Sequence, residues 1–499
     1  MAERPIIIIG GGIAGLAAGC YGQMNGYRTR ILEMHASPGG LCTSWKRKGY
    51  TIDGCLHWLV GSKQGSSMNR LWEELGATQG RQMVDHEEFV RIEGVGGDVF
   101  IVYTNVDQQE DHMKRLAPGD HEPIEEMCQA IRTMAAVDMP LDVPDQAPPD
   151  AATQAELTAL FEALAKYSSM TVQDFAERFA SPFLRWSFAQ LFDMPDCPVS
   201  ALLLTLAWMH RRDAGYPIGG SAEFSRAIER RYLGLGGKID YRSRVDKILV
   251  EGDSAVGVRV DDGEEHRADM VISAADGHAT IFHMLDGRYV DDTVRGYYEE
   301  LPIFPPLIQV SLGVARDLSG EPHSVAFPLE PAVRIAEKER TQLGVRHYCY
   351  DPTLAPPGKS VLAVLIESDY EYWNGLNADR NAYKAEKEEV AGAVIEQLER
   401  RFPGLRDQIE MVDVATPMTY ERLTGNWRGS FEGWLITTKT MGMTMSGGMS
   451  KTLPGLDNFY MAGQWVEPGG GVPPAAMSGR NVVRMMCERD GRTFTTTVP

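Results

Sequence analysis

The stretch Pro5-Ile6-Ile7-Ile8-Ile9-Gly10-Gly11-Gly12-Ile13-Ala14-Gly15-Leu16 constrains this chain more than any other. An isoleucine run without a polar break predicts a parallel strand buried on both faces, and the glycines arrive where that strand must turn into a helix. Gly10 permits the tight turn and Gly12 lets backbone approach a pyrophosphate. Gly15 allows the helix to pack close on the strand, with the phosphate charge at the helix N-terminus. Glu33 closes a second predicted strand, Tyr27–Glu33, about 20 residues on, where a carboxylate accepts hydrogen bonds from a ribose 2′-hydroxyl and repels a 2′-phosphate. Strand, helix, second strand and terminal acid fall in register, so a dinucleotide site is expected. FAD and NAD both carry an adenosine ribose and a pyrophosphate, and the fingerprint alone leaves the two open.

At 499 residues the chain exceeds the size at which single cores stop growing, so two domains are expected. A net charge of −20 argues against nucleic acid and against broad attraction to anionic lipid, since both need a basic field. The local cluster Lys46-Arg47-Lys48 reads as a solvated hairpin tip or as a peripheral membrane contact. Seven cysteines without a CxxC or Cys/His spacing point to reduced thiols, a cytoplasmic protein and no metal site. The first strand starts at about residue 5, which leaves no room for a targeting peptide. Apolar runs such as Ala201-Leu202-Leu203-Leu204 are too short to span a bilayer.

Leu41–Val60, with Trp45, Tyr50 and Ile52, predicts a hairpin. Helices are expected at Asp120–Ala136, Thr153–Lys166, Val172–Phe192 and Val199–His210, with a proline-rich connector from Met139 to Pro149 read as a surface loop or a lid. Then come a helix at Ala222–Leu233 and strands at Lys238–Tyr241, Val245–Glu251, Ala255–Val260 and Met270–Ser273, with a hairpin turn at Asp262-Gly263. Leu307–Val314 and Ser360–Glu367 read as long strands and Ala382–Arg401 as an amphipathic helix. A buried strand, Phe459–Gly463, precedes a last helix from Pro473 to Arg484. Nucleotide-binding character thus recurs at the start, middle and end. The expected fold is α/β (α+β overall): a discontinuous Rossmann-like cofactor domain from 1–110, 215–300 and 445–499, with an inserted mixed-sheet and helical substrate domain from 111–214 and 301–444.

Four blocks resemble, in order, the phytoene-desaturase-like branch of flavin oxidoreductases, which includes carotenoid isomerases, retinol saturases and, more distantly, flavin amine oxidases. They are Ile6–Gly40, Gly40–Trp58, Tyr216–Asp276 (with Tyr216-Pro217-Ile218-Gly219-Gly220 and Ser273-Ala274-Ala275-Asp276) and Tyr460–Gly479. Together they cover about half the chain. The resemblance implies FAD. It assigns Gly10, Gly12, Ala14, Gly15 and Glu33 to the adenosine diphosphate half, Gly39, Gly40 and Leu41 to the pyrophosphate or ribityl chain, and the Val245 main chain to adenine. It brings His57 and Trp58 beside the isoalloxazine. Gly463 and Gln464 fall near the ribityl and phosphate region, and Gly471, Val472, Pro473 and Ala476 form a helix start whose free amides face the flavin pyrimidine carbonyl. Two positions depart from the pattern. Leu41 stands where many relatives carry arginine, and Gln464 where many carry an acid.

The same resemblance implies hydride transfer at flavin N5 to or from a carbon–carbon bond of a lipophilic polyene or isoprenoid, with desaturation, saturation and isomerisation all open. His57 is the first acid/base candidate, or else a histidine satisfied by hydrogen bonds beside the ring. Glu467 is a weaker candidate, expected to be structural. The helices of Val172–His210 and a strand at Met441–Met445, with Trp427, Phe431 and Trp434 nearby, are expected either to line an apolar tunnel or to form ordinary core. Amine or porphyrinogen oxidation and a non-catalytic prenyl-lipid carrier are the alternative functions. The partner is an apolar small molecule; neither the electron acceptor nor the oligomeric state is legible.

Overall fold

A computed structural model describes residues 4–141, 150–191, 194–445 and 448–499. Its organising element is a five-stranded parallel sheet in the order Lys238–Tyr241, Arg28–Glu33, Pro5–Ile9, Met270–Ser273, Phe459–Met461. In the first strand Ile7 lies opposite Arg30 on one side and Val271 on the other. The isoleucines divide by parity. Ile6 and Ile8 enter a core with the first helix, Ile13–Met24, and the last helix, Val472–Arg489. Ile7 and Ile9 enter a second core beneath the antiparallel strands Val245–Glu251 and Ser254–Val260. A strand covered on both faces has no use for polar alternation, hence the unbroken apolar run. The first and last helices touch through small residues: a Cβ on Gly479 would strike the Ala14 carbonyl oxygen and the Ala18 amide.

Away from this sheet a seven-stranded sheet runs in the order Ile409–Ala415, Leu307–Val314, Ser360–Glu367, Lys338–His347, Ser324–Ile335, Glu88–Glu93, Val99–Tyr103. Its pairings are antiparallel except that Ser324–Ile335 and Glu88–Glu93 run parallel, with Val325 opposite Arg91. The helix Arg380–Arg401 buries Val390, Val394 and Leu398 against it. Helices His121–Ala136, Ala151–Ser168 and Val199–His210 share a core with the short helices between them. Among the described residues no helix is long and apolar enough to cross a membrane.

Two local readings change. The segment from Val172 is two helices, Val172–Ala176 and Pro182–Ala189, because Ser181 caps the second, Pro182 opens it, and the Asp120 carboxylate accepts the Ala180 and Ser181 N–H groups at 2.6 and 2.9 Å. Phe192 lies outside the described residues, as does the connector over 142–149. Met441–Met445 is a short helix and not a strand. Its methionines alternate with period two, but Thr437 and Thr440 each accept the other's N–H on a hydroxyl, at 2.8 and 3.2 Å, which nucleates a helical turn. The basic hairpin tip is tied down: Arg47 pairs with Asp413 at 3.0 Å and Lys48 donates to the Glu410 carbonyl at 3.1 Å.

Candidate functional site

Where the parallel strands end, loops from all three parts of the sheet surround a cleft of about 1510 Å³, open in part to solvent. Gly10 turns the chain with φ +95°, a conformation an L side chain rarely adopts, and a Cβ on Gly15 would collide with the Gly10 carbonyl oxygen. The first helical bond runs from the Leu16 N–H to Gly12 O at 2.9 Å, so earlier amides of that turn have no helical acceptor and face the cleft at Gly12–Ala14. Such a turn attracts an anion. Gly39 bonds the Gly11 carbonyl at 2.9 Å and, with φ +112°, brings the second glycine pair against the first.

Glu33 lies in the cleft wall and is 6% exposed. Its carboxylate accepts the Gly11 N–H at 2.6 Å and the His35 N–H at 2.7 Å, so it braces the glycine turn, a role the spacing did not reveal. Val245, with Ser243 and Arg244, lines the cleft, and so do Leu41, Gly463, Gln464, Gly471 and Val472. Gly463 donates to Ser478 Oγ at 2.5 Å, which fastens the last strand to the last helix. Pro473 lies in the first turn of that helix and Ala476 is fully buried beneath it. The shape fits a dinucleotide: left-handed glycines at Gly10, Gly39, Gly40 and Gly471 leave space that Cβ atoms would fill, beside unsatisfied amides and a buried acid.

His57 and Trp58 line a different cavity. The divergence starts at Asp53, whose buried carboxylate accepts the Cys55 and Leu56 amides at 3.0 and 3.2 Å, the Ser221 amide at 2.7 Å and the Ser221 hydroxyl at 2.5 Å. This turn leaves Cys55 in the cleft wall and His57 outside it. Burial, reinforced by the Arg346 charge, holds the His57 imidazole well below its usual range, so it is neutral at pH 7. Replacing Asp53 by Ala leaves buried donors without an acceptor. It is expected to destabilise the protein by about 3 kcal/mol, read as a lower unfolding midpoint. An unchanged midpoint would show that water replaces the clamp.

Glu467 forms an ion pair with Lys451 at 3.1 Å and accepts from Asn481 at 3.1 Å, and it is absent from the cleft lining. Phe431 lines the cleft, whereas Trp434 packs with Trp465 and Met449 in a small core. Two acids in the cleft wall went unassigned from sequence. Asp276 accepts the Ala279 and Trp427 amides at 2.7 and 2.8 Å, and burial pushes its carboxyl up to about 7. Glu432 is half-buried in the wall, with burial again pushing its carboxyl up to about 7. A Cβ on Gly470 would collide with its Oε2, so the terminal glycine loop is shaped around this carboxyl. The only sequence sign was a lone acid between Phe431 and Gly433.

The profile of the flavin containing amine oxidoreductase family matches residues 13–487. The chain is 26% identical over 497 residues to a chloroplastic prolycopene isomerase of Arabidopsis thaliana, covering 95% of this chain and 81% of the relative. It is 22% identical over 514 residues to an all-trans-retinol 13,14-reductase of Danio rerio, covering 92% and 82%. Among solved structures, a putrescine oxidase variant redesigned at its cofactor site superposes with a TM-score of 0.64 at 14% identity, covering 98% of this chain and 99% of the other, a likeness of fold. Glycine turns, braced acid and helix starts fit the dinucleotide that a flavin-containing family requires, so this chain belongs to the flavin containing amine oxidoreductase family, in its phytoene-desaturase-like branch, and is an FAD-dependent oxidoreductase.

Proposed function

We propose that the protein oxidises, reduces or isomerises a carbon–carbon bond of a lipophilic polyene or isoprenoid. The observation that carries this reading is the Glu432 carboxyl in the cleft wall. Among the described residues it has no hydrogen-bond or ion-pair partner, and it sits against Gly470 in the loop that starts the last helix. Relatives named as a prolycopene isomerase and a retinol 13,14-reductase support the substrate class, since both names describe chemistry at double bonds of a conjugated polyene.

When bound, FAD supplies hydride exchange at N5. The remaining task is a proton, and a carboxyl of pKa about 7 is suited to it. In desaturation Glu432 as carboxylate takes the proton from the carbon next to the one that loses hydride. In saturation, as the acid, it gives that proton back. Isomerisation needs at most the same donor. In this reading Gly10, Gly12, Ala14, Gly15, Glu33 and Val245 hold the adenosine half of the cofactor. Gly39, Gly40, Leu41, Gly463, Gln464, Gly471, Val472, Pro473 and Ala476 hold its flavin half. Glu467 keeps the terminal segment in position through Lys451. The neutral His57 serves substrate shape more than proton transfer. The stretches 1–110, 215–300 and 445–499 form the cofactor domain and 111–214 and 301–444 the substrate domain, with Glu88–Glu93 and Val99–Tyr103 pairing into the substrate sheet.

The test is anaerobic spectroscopy of the yellow holoprotein. Oxidised flavin that bleaches on adding a polyene identifies a desaturase, and photoreduced flavin that the polyene reoxidises identifies a saturase. A reduced enzyme that only shifts the absorption maximum of a cis-polyene identifies an isomerase. Reduction by putrescine or another amine, with no polyene acting in any of these ways, would overturn the proposal.

A further inference from the structure

Two residues past Cys55, His57 and Trp58 line a second, smaller cavity that is partly open to solvent. Arg346, from the strand Lys338–His347, lines it and has no carboxylate within ion-pair distance among the described residues. The turns just before the paired strands Glu88–Glu93 and Ser324–Ile335 bring in His86 and His323, whose rings stack with centroids 3.8 Å apart at 8°, with Tyr350 edge-on to both at 4.4 and 6.0 Å. Burial, together with the neighbouring cations, holds His86 down to about 4 and His323 to about 2. Both rings are therefore neutral at pH 7, and each keeps one N–H donor. His86 Nε2 is buried without a hydrogen-bond partner among the described residues.

Among the described residues neither acid of the wall forms an ion pair with Arg346. Glu88 is engaged by Arg91 through two hydrogen bonds, at 2.5 and 2.7 Å, and Asp85 is solvent-exposed. An arginine beside neutral imidazole donors in a half-dry cavity is a site for an anion. One cation, in a protein of net charge −20, suits a monoanionic carboxylate better than a dianionic phosphate. Trp58 and Phe89, in edge contact at 5.4 Å, and Met209 supply an apolar part of the wall. We infer that this cavity binds the terminal carboxylate of the substrate through Arg346 and the His86–His323 pair, so that the substrate is an unsaturated apolar acid and not a hydrocarbon. The inference rests on the polyene or isoprenoid reading above and narrows it.

Titrating the FAD-loaded protein with all-trans-retinoic acid and with its methyl ester tests the site. The acid is expected to bind at least about tenfold more tightly, the worth of a charge-assisted hydrogen bond. Arg346→Gln should erase that preference without changing ester affinity or flavin absorbance, and Arg346→Lys should retain part of it. Equal binding of acid and ester, no binding of either, or a preference that survives Arg346→Gln would overturn the subsite. The two readings fail separately. A tenfold preference without any redox or isomerisation of polyenes keeps the carboxylate site and removes the proposed reaction. A hydrocarbon polyene that turns over while the acid shows no preference does the reverse.

Discussion

Gly15→Val is expected to yield a protein without bound flavin. The added Cβ would meet the backbone carbonyl of Gly10, and no rotamer relieves a contact between two main-chain segments. The first helix must move away from the first strand, and its N-terminal amides then leave the position where the cleft receives phosphate. Overpacking of this kind costs about 3 kcal/mol or more, which corresponds to a loss of about 100-fold or more in cofactor affinity. Absorbance near the flavin bands, measured against protein concentration, gives the occupancy directly. Full occupancy in Gly15→Val would mean that the close approach of helix and strand is not what shapes the phosphate site. Gly479→Val is a useful companion. It creates the same kind of collision, with Ala14 O and the Ala18 amide, from the last helix.

Glu432→Gln is expected to slow the half-reaction of a turning-over polyene by about 100-fold, within the usual range for loss of a general acid or base. Flavin occupancy and spectrum should stay as they are, since the amide fills the same space. The pH profile separates a proton-moving role from a packing one. With its carboxyl near 7, Glu432 is mostly acid below that pH and mostly carboxylate above it. A desaturation that needs the base therefore accelerates as pH rises through about 7 and then levels. A saturation or isomerisation that needs the acid slows over the same interval. The glutamine variant should lose this inflection in either direction. A variant that keeps both the rate and the inflection would transfer the role to Asp276, whose carboxyl is also pushed up to about 7 but is occupied by two backbone amides.

The parts of this protein legible from sequence are those in which one segment carries its own constraint. The isoleucine run, Gly10, Gly15 and Glu33 specify a buried strand, a tight turn, a close helix and an acid at the strand end, and all of these are present. The turn at Asp262-Gly263 and the helix Arg380–Arg401 are likewise local matters of backbone conformation and side-chain period. Where local pattern was ambiguous it misled: alternating methionines at 441–445 resemble a strand until two threonine hydroxyls close a helical turn ahead of them.

What sequence by itself determined is thus the dinucleotide fingerprint, the order of strands and helices around it and, through four resembling blocks, the flavin family. Tertiary structure alone decided which side chains share a cavity. Cys55 and His57 are two residues apart yet face different spaces, because Asp53 is held by Ser221, 168 residues away. Glu432 earns its place in the cleft through contact with Gly470, and Arg346, His86 and His323 converge from separate parts of the seven-stranded sheet and its edges. The physical reason is range. Periodicity and turn chemistry report the conformation and buried face of a segment, whereas the neighbours of a side chain depend on register and packing between segments, which no single stretch of sequence carries.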